Sequence, residues 1–104
     1  MDDRDGRAKL MPAEEPGGDG AVRLQLAQRL NSLIQEKALT QTAAAAIFGI
    51  PQPHVSELRH FKLSRFSSER LLRFITLLDR DVEIVIRPKE GPQTHGTVSV
   101  QLTA

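Results

Sequence analysis

Apolar residues recur three and four apart from about Val22 to Lys37, where Leu26, Leu30, Leu33 and Ile34 share one helical face. Arg23, Gln28, Asn31, Gln35 and Glu36 are expected on the outer face of this first helix, and Ala38-Leu39-Thr40 forms the turn out of it. Thr40 can N-cap a second helix with a small apolar inner face of Ala44, Ala45, Ile47 and Phe48, and Gly49 tolerates the positive φ at which that helix must stop. Ile50 plugs the corner. Gln52 and Pro53 open a third helix, where proline's missing N–H costs nothing, and Val55 and Leu58 pin it inward. His60–Arg65 is too short for an element of its own. Phe66-Ser67-Ser68-Glu69-Arg70-Leu71 then announces a fourth helix, with Ser67 as N-cap, Glu69 against the dipole and Phe66 stapled onto Leu71. It should run to about Asp79, with Leu71, Leu72, Ile75 and Leu78 closing the core. Beyond it the period drops to two: Val82, Ile84 and Ile86 share one face up to Pro88, and Thr97–Leu102 alternates likewise. The expectation is a mainly α domain of four to five helices with a C-terminal β-strand or hairpin. An isolated hairpin is marginal in water, so a second copy of the chain is expected to cover Val82, Ile84 and Ile86 as a dimer interface.

The second and third helices carry the most specific signal. Ala45, Gly49, Ile50, Val55 and Leu58 fall where a DNA-reading helix-turn-helix needs a small residue, a turn residue, a plug and two anchors. A helical hairpin of the same packing that touches no DNA is the alternative. With Val55 and Leu58 inward, steps of about 100° per residue turn Pro53, Ser56, Glu57 and His60 outward, and Gln52 leads the helix. Gln52, Pro53, Ser56 and Glu57 are therefore the expected base contacts, with Gln52 suited to adenine and Glu57 to a cytosine amino group. Gln41, His54, Arg59, His60, Lys62 and Arg65 are the expected phosphate contacts.

Charge sharpens this picture. The net charge of +1 hides a gradient. Residues 1–20 hold six acidic side chains against three basic ones, a net of −3; residues 51–73 hold five basic against two acidic, a net of +3. The acidic stretch has no apolar periodicity and contains Pro12, Pro16 and Gly17-Gly18-Asp19-Gly20, so residues 1–20 are expected to form a disordered tail, 21–80 the DNA-binding domain and 81–104 the dimerisation segment. A chain of 104 residues supports one small core, and 39% hydrophobic with 4% aromatic residues suits Leu, Ile, Val and Ala packing. There is no cysteine for disulfides or thiolate metal sites, and no apolar run suggests a signal peptide or membrane span, which fits a cytoplasmic setting. No enzyme is expected, and no cofactor or metal. His54 and His60 lie six apart with His95 in a loop, giving no convergent metal face, and Glu57 beside His54 lacks a nucleophile.

Over roughly residues 22–88 the chain resembles the Cro/repressor-like (XRE-type) helix-turn-helix family, and more narrowly its HigA-like antitoxin branch. The resemblance rests on Leu39-Thr40-Gln41, Phe48-Gly49-Ile50-Pro51-Gln52-Pro53, Val55-Ser56, Phe66-Ser67, Glu69-Arg70-Leu71-Leu72-Arg73-Phe74 and Asp81-Val82-Glu83-Ile84-Val85-Ile86-Arg87-Pro88. Ala38 and Phe61 stand where that family usually has glycine, and His54 where Lys or Arg is common. The resemblance implies a homodimer on double-stranded operator DNA that represses its own operon, often beside a RelE-like ribonuclease toxin. A stand-alone repressor is the alternative.

Overall fold

The computed structural model describes residues 19–101. It contains four helices among them: α1 (Asp19–Glu36), α2 (Gln41–Phe48), α3 (Gln52–Arg59) and α4 (Ser68–Thr76). The acidic tail expected over residues 1–20 lies almost wholly outside the described residues, as does Leu102.

The starts of α2 and α4 follow from their cap residues. The Thr40 side chain accepts from the Ala43 N–H at 3.0 Å and the Ser67 side chain from the Arg70 N–H at 3.1 Å, satisfying donors that a helix leaves unpaired. Phe66 and Leu71, on either side of that second cap, are both fully buried. The core gathers Leu26, Ala27, Leu30 and Ile34 of α1, Ala44, Ala45 and Phe48 of α2, Val55 and Leu58 of α3, and Leu71, Phe74 and Ile75 of α4. Phe74 is its hub. It stacks on Phe48 at 4.5 Å between centroids and meets Phe66 edge-on at 6.3 Å, the two geometries that the aromatic quadrupole favours.

The ends of α1, α2 and α3 share one device. Ile50 N–H reaches back to the Ala45 carbonyl, Leu39 N–H to Ile34 and Lys62 N–H to Glu57, each closing a helix through a left-handed residue. Gly49 fills that position in the first case at φ 71°, but Ala38 (φ 54°) and Phe61 (φ 59°) fill it in the others. The turns keep their geometry without glycine because the 6→1 hydrogen bonds and core packing hold them there.

Several expectations are corrected. No strand forms among the described residues: 80–101 carry no ladder, so the C-terminal strand or hairpin is absent from the single chain. The reason is a missing partner. Val100 N–H donates instead to the Gln25 side chain of α1 at 2.8 Å while Val98 stays exposed, so the second stretch offers the first no ladder. Ile84 and Ile86 are 75% and 92% exposed. Asn31, assigned outward, is buried because it continues the stripe of Ala27, Leu30 and Ile34 at helical spacing. Ile47, assigned inward, is exposed, and α4 ends at Thr76 rather than about Asp79. Among the described residues no helix is long and apolar enough to cross a membrane.

The strained turns give a stability prediction. Ala38→Gly and Phe61→Gly should each stabilise the domain by roughly 0.5–1 kcal/mol, since left-handed strain of about 1–2 kcal/mol is only partly offset by glycine's freer unfolded chain. Gly49→Ala has open space for its Cβ and should lose stability through φ alone. Urea titrations of the three variants read this out; destabilisation by both glycines would contradict it.

Candidate nucleic-acid interface

Helix α3 is only eight residues long, too short to be stable by itself, so its orientation is imposed by what it packs on. Val55 and Leu58 are completely buried. Between α1 and the end of α3 runs a reciprocal polar clamp: Asn31 Nδ2 donates to the Leu58 carbonyl at 3.1 Å, and Arg59 Nη1 donates to the Asn31 carbonyl at 3.0 Å and to its Oδ1 at 3.4 Å. The Leu58 carbonyl also accepts from the Phe61 N–H at 3.1 Å, so the Asn31 amide uses its second lone pair at the C-terminal turn. The sequence pattern does carry a signal for it, because a polar residue on an otherwise apolar stripe requires a buried partner.

The face opposite Val55 and Leu58 is open. Gln52 and Pro53 are exposed at its leading end, and Ser56 and Glu57 are half-exposed along it, so the four expected base contacts lie together on one accessible surface. Gln41 is exposed at the first position of α2, where free backbone N–H groups and the helix dipole favour an anion. His54 is half-buried on the flank of α3. His60 is exposed, with Nδ1 against the Ser56 carbonyl at 2.8 Å, a contact that requires Nδ1 to carry the proton. Lys62 is exposed just past the turn. Both arginines among the expected phosphate contacts are engaged within the protein as well: Arg59 in the clamp, and Arg65 with Glu57, Nε to Oε1 at 2.6 Å and Nη2 to Oε2 at 3.3 Å.

The loop carrying Lys62 and Arg65 is tied down by two further arginines that sequence reasoning left without a structural role. Arg23 Nη1 donates to the carbonyls of Leu63 at 2.8 Å and Phe66 at 3.3 Å, and Arg70 Nη1 to that of Arg65 at 2.9 Å. The Arg70 guanidinium lies 5.3 Å from the Phe66 ring centroid and 5.4 Å from that of Phe74, within cation–π range. Arg59 and Arg70 bond only neutral oxygens and keep their positive field, whereas Arg23 also pairs with Asp19 at 3.1 Å. On the α3 face, Arg65 is hydrogen-bonded to an acid, Glu57. That hydrogen bond, reinforced by its charge and weakly by His54 and Lys62, holds the Glu57 carboxyl below the usual range and outweighs desolvation, and it raises Arg65 in turn.

A family model described as a helix-turn-helix domain matches residues 14–87. A solved structure described as an XRE family transcriptional regulator is similar to this chain at 46% sequence identity and a TM-score of 0.77, covering 82% of this chain and 96% of that one. No curated protein gives a significant match.

The ion pair predicts a titration. A carboxyl whose folded value is lowered contributes stability above the pH at which the unfolded group ionises, and that contribution fades as pH falls through the folded value. Glu57 should therefore stay ionised below the pH where an ordinary glutamate protonates, and Arg65→Ala should return it to the ordinary range. Carboxyl-carbon NMR titration of both proteins reads this directly; an unchanged Glu57 midpoint would show that Arg65 is not its partner in solution.

Proposed function

This chain belongs to the helix-turn-helix domain family, in its XRE type, and from that premise we propose that it binds a two-fold operator as a homodimer and represses its own operon as the antitoxin of a toxin–antitoxin pair. It is a DNA-binding transcriptional regulator. The observation that carries the fuller reading is the open α3 face: a short helix fixed from behind by Val55, Leu58 and the Asn31 clamp presents Gln52, Pro53, Ser56 and Glu57. Gln52 pairs through its amide with adenine, Ser56 bonds either way, and Gln41 and Lys62 with His54 and His60 position phosphates. Arg59 serves as a brace for α3.

The dimer reading rests on exposed Val82, Ile84 and Ile86, whose stretch has no ladder in the single chain. Pairing this segment with the same segment of a second copy covers its apolar face and sets two α3 helices about one DNA turn, roughly 34 Å, apart. Residues 21–80 then act as the DNA-binding unit and 81–104 as the dimerisation segment. The antitoxin role is supported by the resemblance to HigA-like chains over roughly residues 22–88, and its partner would be a RelE-like toxin. A neighbouring gene for a small basic ribonuclease-like protein favours that role, and its absence favours a stand-alone repressor.

Two experiments test the reading. Gln52→Ala should weaken operator binding by about 1–3 kcal/mol and relax preference at one base pair, whereas Lys62→Ala should weaken all sequences alike and flatten the salt slope by about one phosphate's worth. An unchanged binding-site logo for Gln52→Ala refutes the readout assignment. Ile84→Lys should lower dimer affinity and operator affinity together in sedimentation and binding assays. A wild-type monomer at micromolar concentration with full operator affinity refutes the dimer.

A further inference from the structure

Glu57 is the only acidic residue in α3, and it sits on the face read above as DNA-facing. An unpartnered carboxylate there would be repelled by phosphates. Here the Arg65 fork takes one bond to each carboxylate oxygen, at 2.6 and 3.3 Å. The fork is itself fixed: Arg70 holds the Arg65 carbonyl at 2.9 Å while lying against Phe66 and Phe74 of the core. Arg23 holds the neighbouring Leu63 and Phe66 carbonyls. The carboxylate is thus tied through two arginines to the buried aromatics of the core, which removes rotamer freedom that a long side chain would otherwise lose on binding.

Bidentate pairing uses about two of a carboxylate's four or so acceptor sites and leaves the others for a donor. In the major groove, cytosine offers an N4 amino donor with no acceptor on its edge; adenine's amino group is flanked by N7, and guanine and thymine present acceptors that repel a carboxylate. We propose that Arg65 is a positioning residue for Glu57 and that the pair selects cytosine at one position of the operator, Glu57 accepting from N4 while Arg65 offsets its charge. This deepens the DNA-binding reading and rests on it. It also gives Arg65 a role in specificity, in place of a phosphate contact.

The test is selection from a random double-stranded library with the full chain, followed by salt-dependent titration of the selected duplex, for wild type, Glu57→Gln, Arg65→Ala and Arg65→Lys, each first checked for an unchanged circular-dichroism melt. Wild type should show one column of strong cytosine preference. Glu57→Gln should turn that column towards adenine, because an amide both donates and accepts. Arg65→Ala should erase the cytosine preference there alone, weaken the selected duplex roughly tenfold or more and leave the salt slope unchanged. Arg65→Lys should fail to restore the column, since an ammonium lacks the fork. Uniform weakening by Arg65→Ala with a flatter salt slope, rescued by Arg65→Lys, would make Arg65 a phosphate contact and overturn the proposal. A logo unchanged by Glu57→Gln would overturn it too. Failure of wild type to retain any duplex in a salt-dependent manner would instead remove the DNA-binding reading beneath it.

Discussion

The bond from the Asn31 amide to the Leu58 carbonyl is the contact on which the reading surface depends. Val55 and Leu58 alone fix how deep α3 sits, but apolar contacts are non-directional and leave its rotation and tilt loosely set. A buried hydrogen bond is directional, and a buried amide without its partner costs about 1–3 kcal/mol, so the clamp selects one orientation out of those the packing allows. Arg59 closes it from the other side by donating to Asn31. Every residue assigned to base contact inherits its position from this arrangement.

Charge in the basic region has two distinct uses. Arg70 organises the loop after α3 and Arg59 braces the helix, each through neutral acceptors, so they build structure without surrendering their positive field, while Arg23 holds the same loop and also pairs with Asp19. Arg65 differs, being paired with an acid on the reading face. Lys62, which has no such partner described, remains available to phosphates on geometric grounds. The field that draws DNA in and the contacts that place it on the bases therefore come from overlapping but different residues.

The helices were legible because their signals are local. Thr40 and Ser67 each accept from the backbone N–H three residues on, Gly49 marks its own φ, and Val55 and Leu58 reveal the inner face of α3 by spacing alone. The clamp was not read, because assigning Asn31 outward by polarity ignored its place beside Ala27, Leu30 and Ile34. The Glu57–Arg65 pair joins residues eight apart across a turn, beyond the reach of helical periodicity. The strands failed for another reason: alternation at Val82, Ile84 and Ile86 reports a face to be covered, while a strand exists only with a ladder partner, and Val100 is drawn to Gln25 instead.

The central claim is that a pre-set α3 meets DNA without rearranging behind its reading face. Nitrogen-15 NMR of the full chain, titrated with a selected duplex, tests it most directly. The account predicts the largest shifts at Gln41, Gln52, Ser56, Glu57 and Lys62, with the Asn31 side-chain amide signal nearly unmoved. Large shifts confined to α1 and α4, or loss of the Asn31 amide signal's protected position on binding, would contradict it.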